Sequence, residues 1–347
     1  MKAGLKPQVT IGKLLRPRSA NPGRTTELAV CAAWMFVLCG SATSAPPLAV
    51  APAQAQAAAV PSTPHTTATR PAVLVYVTAR LGEVATCGCA PERGGLGRQA
   101  TYVAQLGKHA DLGYVEAGDT FFHNWRVQPA EAPRLVERAR RLTELLASQG
   151  LLATAVGECD LAVGLRVLEM LAKDARFPVL GANLITPEGR RPFPATAVVT
   201  IGGLHVGLVG LISDRLGVTT THSDLVVEPP AKRLAQVLQS FSPRPDRIVV
   251  LAHMSPAEAE ELARAVPGAD LAVLGHGNGR LPVPRLVGST LLVGSEPKGQ
   301  ELGEVDLIRL PSERQKSHRH VSLPMSLRED PAVAAKVKAL APPPARP

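Results

Sequence analysis

Four apolar runs in this chain stop in the same way, each giving out onto an acid or a histidine. They read LGYVEAGDT (112–120), ATAVGECD (153–160), IVVLAHMS (248–255) and DLAVLGHGN (270–278). Short apolar runs alternating with helical patterns fold as strands of a largely buried sheet, and in such sheets ligands gather at the carboxyl ends of the strands. Four strand ends offering Asp119, Glu158, His253 and His276 make an oxygen-and-imidazole set of the kind that holds a divalent ion.

The alternation begins at Pro71. Strands are predicted over 72–79, 113–118, 152–157, 178–184, 197–212, 246–253, 270–275, 290–295 and 304–310. Helices are predicted over 98–108, 130–149, 161–173, 231–240 and 256–266, the last opening on Ser255-Pro256. This predicts α/β architecture. The later strands follow one another without helices, which points to a mixed sheet or to a second sheet packed on the first. Residues 311–347 read as a basic, Pro-rich tail with at most one short helix near 330–340.

Of the formal charge of +9, residues 1–45 carry +5, and the +4 that remains is unremarkable. No Lys/Arg run is interleaved with aromatics, which argues against a nucleic-acid partner. Residues 1–45 have a long basic segment, the apolar run LAVCAAWMFVLC (28–39) and then small residues, the pattern of an export signal or, if uncleaved, an N-terminal membrane tether. Residues 46–71 are an Ala/Pro/Thr-rich linker, leaving a domain over 72–310. The folded part is therefore expected outside the cytoplasm, in the periplasm or cell envelope. That compartment exposes Cys87, Cys89 and Cys159 to oxidising conditions.

Together the stretches GGLGRQAT (94–101), EAGDTFF (116–122), AVGECDLAVG (155–164), GANL (181–184), VGLVGLIS (206–213), VLAHMS (250–255), DLAVLGHGNG (270–279) and GSEPKGQELGEVDL (294–307) resemble the catalytic domain of the 5′-nucleotidase/UDP-sugar hydrolase branch of the calcineurin-like metallophosphoesterases. The resemblance spans residues 72–310. It implies a four-layer α-β-β-α sandwich with mixed sheets and a two-metal site at the strand ends. Carried across, it places Asp119 as the bridging ligand and His253 and His276 as ligands of the second metal, with Glu158 where the family has Asn. The first metal is another matter. Ala79 and Leu81 stand where the family's D-x-H supplies ligands, the last imidazole of GHxH is Asn278, a weak ligand, and the histidine that serves the phosphate is Cys159.

The resemblance thus implies one retained ion, Zn, Mn or similar, with a second only if other groups rebuild its site. The cysteine-containing segment TCGC (86–89) leaves two readings open: Cys87, Cys89 and Cys159 bind a soft ion as thiolates, or one pair forms a disulfide. Exported relatives resemble this chain in carrying a CGC segment ahead of GGLxR. His123 reads as a surface loop residue or as a second source, beside Cys159, of proton transfer. Arg98 reads as a phosphate contact or as part of a solvated helix face. The expected function is an exported phosphoesterase acting on a small phosphorylated molecule. The family's separate base-binding domain finds no counterpart of sufficient length after residue 310, so a smaller phosphoester or phosphoanhydride is expected rather than a nucleotide. The alternatives are an inactive or thiol-redox protein on the same fold and a scaffold for an envelope partner.

Overall fold

The computed structural model describes residues 70–340 except 87, 89, 278 and 279, so the signal-like segment, Cys87, Cys89 and Asn278 lie outside the described residues. Two six-stranded sheets carry the structure. The first is built on three parallel strands, β1 (Ala72–Val77), β2 (Asp111–Glu116) and β3 (Leu151–Ala155), with β4 (Val179–Leu180) beyond β3. Its other edge is antiparallel: β13 (Glu301–Asp306) pairs with β1, and β14 (His318–Ser322) with β13. A two-stranded ribbon, β5 (Leu184–Ile185) with β8 (Val226–Val227), lies apart.

The second sheet runs β11 (Arg285–Val287), β12 (Thr290–Val293), β10 (Leu271–Leu274), β9 (Arg247–His253), β7 (Leu204–Ile212), β6 (Thr196–Ile201). Its four central strands are parallel and its outer pairs antiparallel.

Alternation along the strands sorts residues into layers. In β1, Ala72, Leu74 and Tyr76 face the gap between the sheets, where they meet Val249 and Leu251 of β9. Val73, Val75 and Val77 face outward, under α1 (Leu96–Leu106), α2 (Ala132–Ser148) and α3 (Leu165–Asp174). After the one-turn helix α4 (Val218–Thr221), α5 (Pro230–Ser240) and α6 (Pro256–Ala265) cover the other sheet through Leu234, Val237, Ala259 and Leu262. The order is helices, sheet, sheet, helices, the four-layer sandwich expected. The described elements all fall in one compact unit.

Three expectations needed revision. The run 178–184 is not one strand: β4 ends at Leu180 in the first sheet, and β5 starts at Leu184 in the separate ribbon. The run 197–212 is a hairpin, β6–β7, not one strand. Gly202 and Gly203 both take positive φ (55° and 81°), as a two-residue hairpin turn requires. The segment after 310 is also not only a tail. β14 completes the first sheet, and α7 (Pro331–Leu340) packs on α1 and α2. The sequence HRHVS hides its strand character because edge strands need little apolar content.

Candidate functional site

The carboxyl ends of β2, β3, β9 and β10 converge, two from each sheet. Parity along β9 puts His253 on the face of Val249 and Leu251, toward the other sheet, and the ring is fully buried. Its Nδ1 donates to the Ala117 carbonyl at 2.9 Å. That bond leaves Nε2 facing Glu158 Oε2 at 2.5 Å and Asp119 Oδ2 at 3.5 Å. Space for the ring comes from glycines at the neighbouring strand ends. A Cβ at Gly118 would lie 2.5 Å from His253 Nδ1, one at Gly157 2.2 Å from Asp119 Oδ1, and one at Gly275 1.7 Å from the Ala117 carbonyl.

Asp119 is buried with left-handed backbone, φ 50°, a strained conformation that persists only where surroundings enforce it. Its carbonyl accepts from Leu81 N at 2.6 Å and its Oδ1 from Cys159 N at 2.8 Å. Glu158, just ahead of a 3-10 turn (Cys159–Leu161), turns its other oxygen toward His276 Nδ1, 2.9 Å away. That nitrogen is buried but not aligned for a hydrogen bond. The two imidazoles stand 5.5 Å apart, nearly perpendicular.

Electrostatics describe a site short of positive charge. Burial works to raise Glu158, but His253 and His276 outweigh it and hold the carboxyl well below its usual range. Burial likewise opposes charge on His253, yet Asp119 and Glu158 overcome it and bring the ring up to about 10. Burial raises Asp119 against the pull of His253. The Cys159 thiol is driven far up, by burial first and then by Asp119 and Glu158, so it stays protonated. A proton on His253 now sits where a cation would serve all these groups.

The donor atoms of Glu158, His253 and His276 lie within 4.8 Å of one another, as do those of Asp119, Glu158 and Cys159. With the orphaned His276 nitrogen, this arrangement fits a divalent ion with nitrogen and oxygen ligands.

Two other predicted site residues, His123 and Arg98, are engaged outside this cluster. His123 is exposed, its Nδ1 3.7 Å from Glu83. Arg98 folds back on its own helix start, donating to the Gly94 carbonyl at 3.1 Å with Glu329 at 3.7 Å. Cys159 is a buried free thiol. Ala79, where the family's first ligand would stand, is buried and apolar.

Two residues that the sequence reading passed over hold the site together. Asp160 is fully buried, and its two oxygens accept from Phe121 N and Gly157 N, both at 2.9 Å. It thereby ties the loop after Asp119 to the loop before Glu158, and burial, then Asp119, push its carboxyl up to about 7. Its position two residues after Glu158 was the available signal. Arg80, 1% exposed, donates to Glu116 at 2.7 Å, Tyr114 at 2.7 Å and Gln99 at 3.0 Å. It pins the β1 loop whose next residues, Leu81 and Gly82, bond the carbonyls of Asp119 and Thr120.

The chain is similar over 148 residues, at 29% identity, to protein UshA of Salmonella pullorum, which is 38% of this chain and 27% of that protein. Over 207 residues it is 27% identical to a snake venom 5′-nucleotidase of Crotalus adamanteus, covering 53% of this chain and 32% of that one. Over these stretches the chain is thus similar in sequence to a 5′-nucleotidase and to UshA. It spans less than a third of the length of these two relatives. No family-level sequence profile matches it.

Solved structures agree on the metallophosphoesterase fold. A 5′-nucleotidase precursor from Thermus thermophilus aligns with TM-score 0.59 and 21% identity over 78% of this chain and 58% of its own. The calcineurin-like phosphoesterase YfkN of Bacillus subtilis aligns with TM-score 0.62 and 15% identity over 78% and 96%. Among the described residues no helix is long and apolar enough to cross a membrane.

Proposed function

We propose that this chain is an exported, metal-dependent phosphoesterase that hydrolyses a small phosphorylated molecule. It would hold one divalent ion through Asp119, Glu158, His253 and His276. The observation that carries this reading is the approach of two imidazole nitrogens to one carboxylate, 2.5 Å for His253 and 2.9 Å for His276, with Asp119 at 3.5 Å. A bound ion would polarise a phosphoryl oxygen and lower the pKa of attacking water.

The chain's own residues do the rest. Asp160 and Arg80 fix the two loops, and the Ala117 carbonyl keeps the proton on His253 Nδ1 so that Nε2 stays a ligand. Cys159, its thiol grouped with Asp119 and Glu158, would give a proton to a departing alkoxide, with His123 the second candidate. Export rests on the basic and apolar pattern of residues 1–45.

The test is hydrolysis of an aryl phosphate by the metal-loaded protein. Activity in the wild type that vanishes in Asp119→Asn supports the reading; equal rates in both overturn it. A second reading is favoured by the apolar Ala79 and by Leu81, whose backbone is committed to Asp119: an ion-binding protein on this fold that does not turn over. One bound ion with no hydrolysis of any phosphoester would select it.

A further inference from the structure

The site, if it binds phosphate as proposed above, lacks positive charge. One divalent ion is neutralised by Asp119 and Glu158, and a phosphate monoester brings nearly two more negative charges at neutral pH. Three of the chain's buried or half-buried arginines are committed elsewhere. Arg80 serves Glu116, Arg98 serves the Gly94 carbonyl and Glu329, and Arg280 lies 2.8 Å from Glu296 and 3.3 Å from Glu301.

Lys298 is different. Its backbone N donates to the Ala79 carbonyl at 2.6 Å, and Ala79 is two residues before Leu81, whose own N bonds the Asp119 carbonyl. It takes φ 63° between Pro297 and Gly299, a left-handed conformation that a lysine keeps only where its surroundings hold it. It is half-buried, and among the described residues its ammonium makes no hydrogen bond or ion pair. A lysine whose backbone is tied through Ala79 to the segment that bonds Asp119 has a flexible four-carbon stem with which to reach a ligand.

We propose that Lys298 supplies the cation that receives the phosphoryl group beside Asp119. It is a phosphate-binding residue, and the inference rests on the phosphoesterase reading.

The experiment is a calorimetric titration of inorganic phosphate into the full chain, with and without added Mn²⁺, for wild type, Lys298→Met, Lys298→Arg and Asp119→Asn. Ion content is measured on each. Wild type should bind phosphate in the presence of the ion, Lys298→Met at least tenfold more weakly with unchanged ion content, and Lys298→Arg within about threefold of wild type. Asp119→Asn should lose the ion.

In the wild type alone, phosphate should also slow acetylation of Lys298 by acetic anhydride, read by mass spectrometry, so a poorly folded variant does not decide the matter. Unchanged phosphate affinity in Lys298→Met, or acetylation indifferent to phosphate, overturns the role of Lys298 and leaves the hydrolase reading standing. A wild type that takes up no ion sinks the hydrolase reading. In that case phosphate binding without the ion still reports on Lys298, and its absence overturns this inference too.

Discussion

Each polar group of the site depends on a neighbour that is not itself a ligand. His253 keeps its ring because Gly118, Gly157 and Gly275 have no side chains, and Gly275 is the tightest of the three. Gly275→Ala should therefore cost about 3 kcal/mol or more, since overpacking here meets a backbone carbonyl that cannot yield. Urea unfolding would read the loss, and ion content should fall with it. Arg80 makes a second residue-scale prediction. Arg80→Met leaves Glu116, wholly buried, with the Tyr114 hydroxyl but without its cation, which should cost about 3–5 kcal/mol. Adding Glu116→Met should recover much of that loss in the same assay. Asp119, Glu158, His253 and His276 were readable in the sequence because each ends an apolar run. Arg80 was not, because nothing local shows that its side chain turns inward to meet Glu116, 36 residues away, and for Asp160 the sequence offered only its position after Glu158, not its bond to Phe121, 39 residues away.

Among the elements, β14 was missed by pattern reading, and it carries two histidines whose titration is shifted by the fold. His318 bonds the Tyr76 hydroxyl at 2.8 Å, and its ring packs 4.6 Å from His320. Burial, then the neighbouring His320 charge, lower His318 from 6.5 to about 4. A histidine whose folded pKa is depressed is neutral in the fold and takes up a proton on unfolding. It thus contributes stability above pH 6.5 that is lost as pH falls toward 4. Glu301, brought to about 2 against burial by His320 and Arg280, begins to act only below its ordinary range near 4.5, and His320, which is raised, acts only above 6.5. Between pH 7 and 5 His318 should therefore contribute a loss of at most about 2 kcal/mol, beside a loss from His222, which burial also lowers, and a gain from Asp160, whose carboxyl takes up its proton in the fold from about pH 7 downward. Read by urea unfolding, the stability at pH 5 relative to pH 7 should be up to about 2 kcal/mol more favourable in His318→Gln than in the wild type; an unchanged difference would contradict this assignment. The β6–β7 hairpin was missed for a different reason: its two glycines stand inside an apolar run of sixteen residues, and only their positive φ values reveal the turn.

For the whole molecule, the α/β class was readable from strand and helix periodicity and the four layers only from the family resemblance, whereas the pairing of strand ends from two different sheets was not readable from the pattern. That pairing makes the site a clasp between the sheets, with Asp119 and Glu158 on one and His253 and His276 on the other. An ion bound there joins the two halves, so saturation at about a hundredfold over its dissociation constant should raise stability by about 2.7 kcal/mol. A chelator should lower the melting temperature accordingly, and Asp119→Asn should remove the effect. The most direct measurement is elemental analysis of the protein purified from an oxidising compartment without chelators. About one divalent ion per chain, lost in Asp119→Asn, is the predicted result. A folded protein that holds no ion, even after incubation with Zn²⁺ or Mn²⁺, would contradict the metal site on which the proposed chemistry depends.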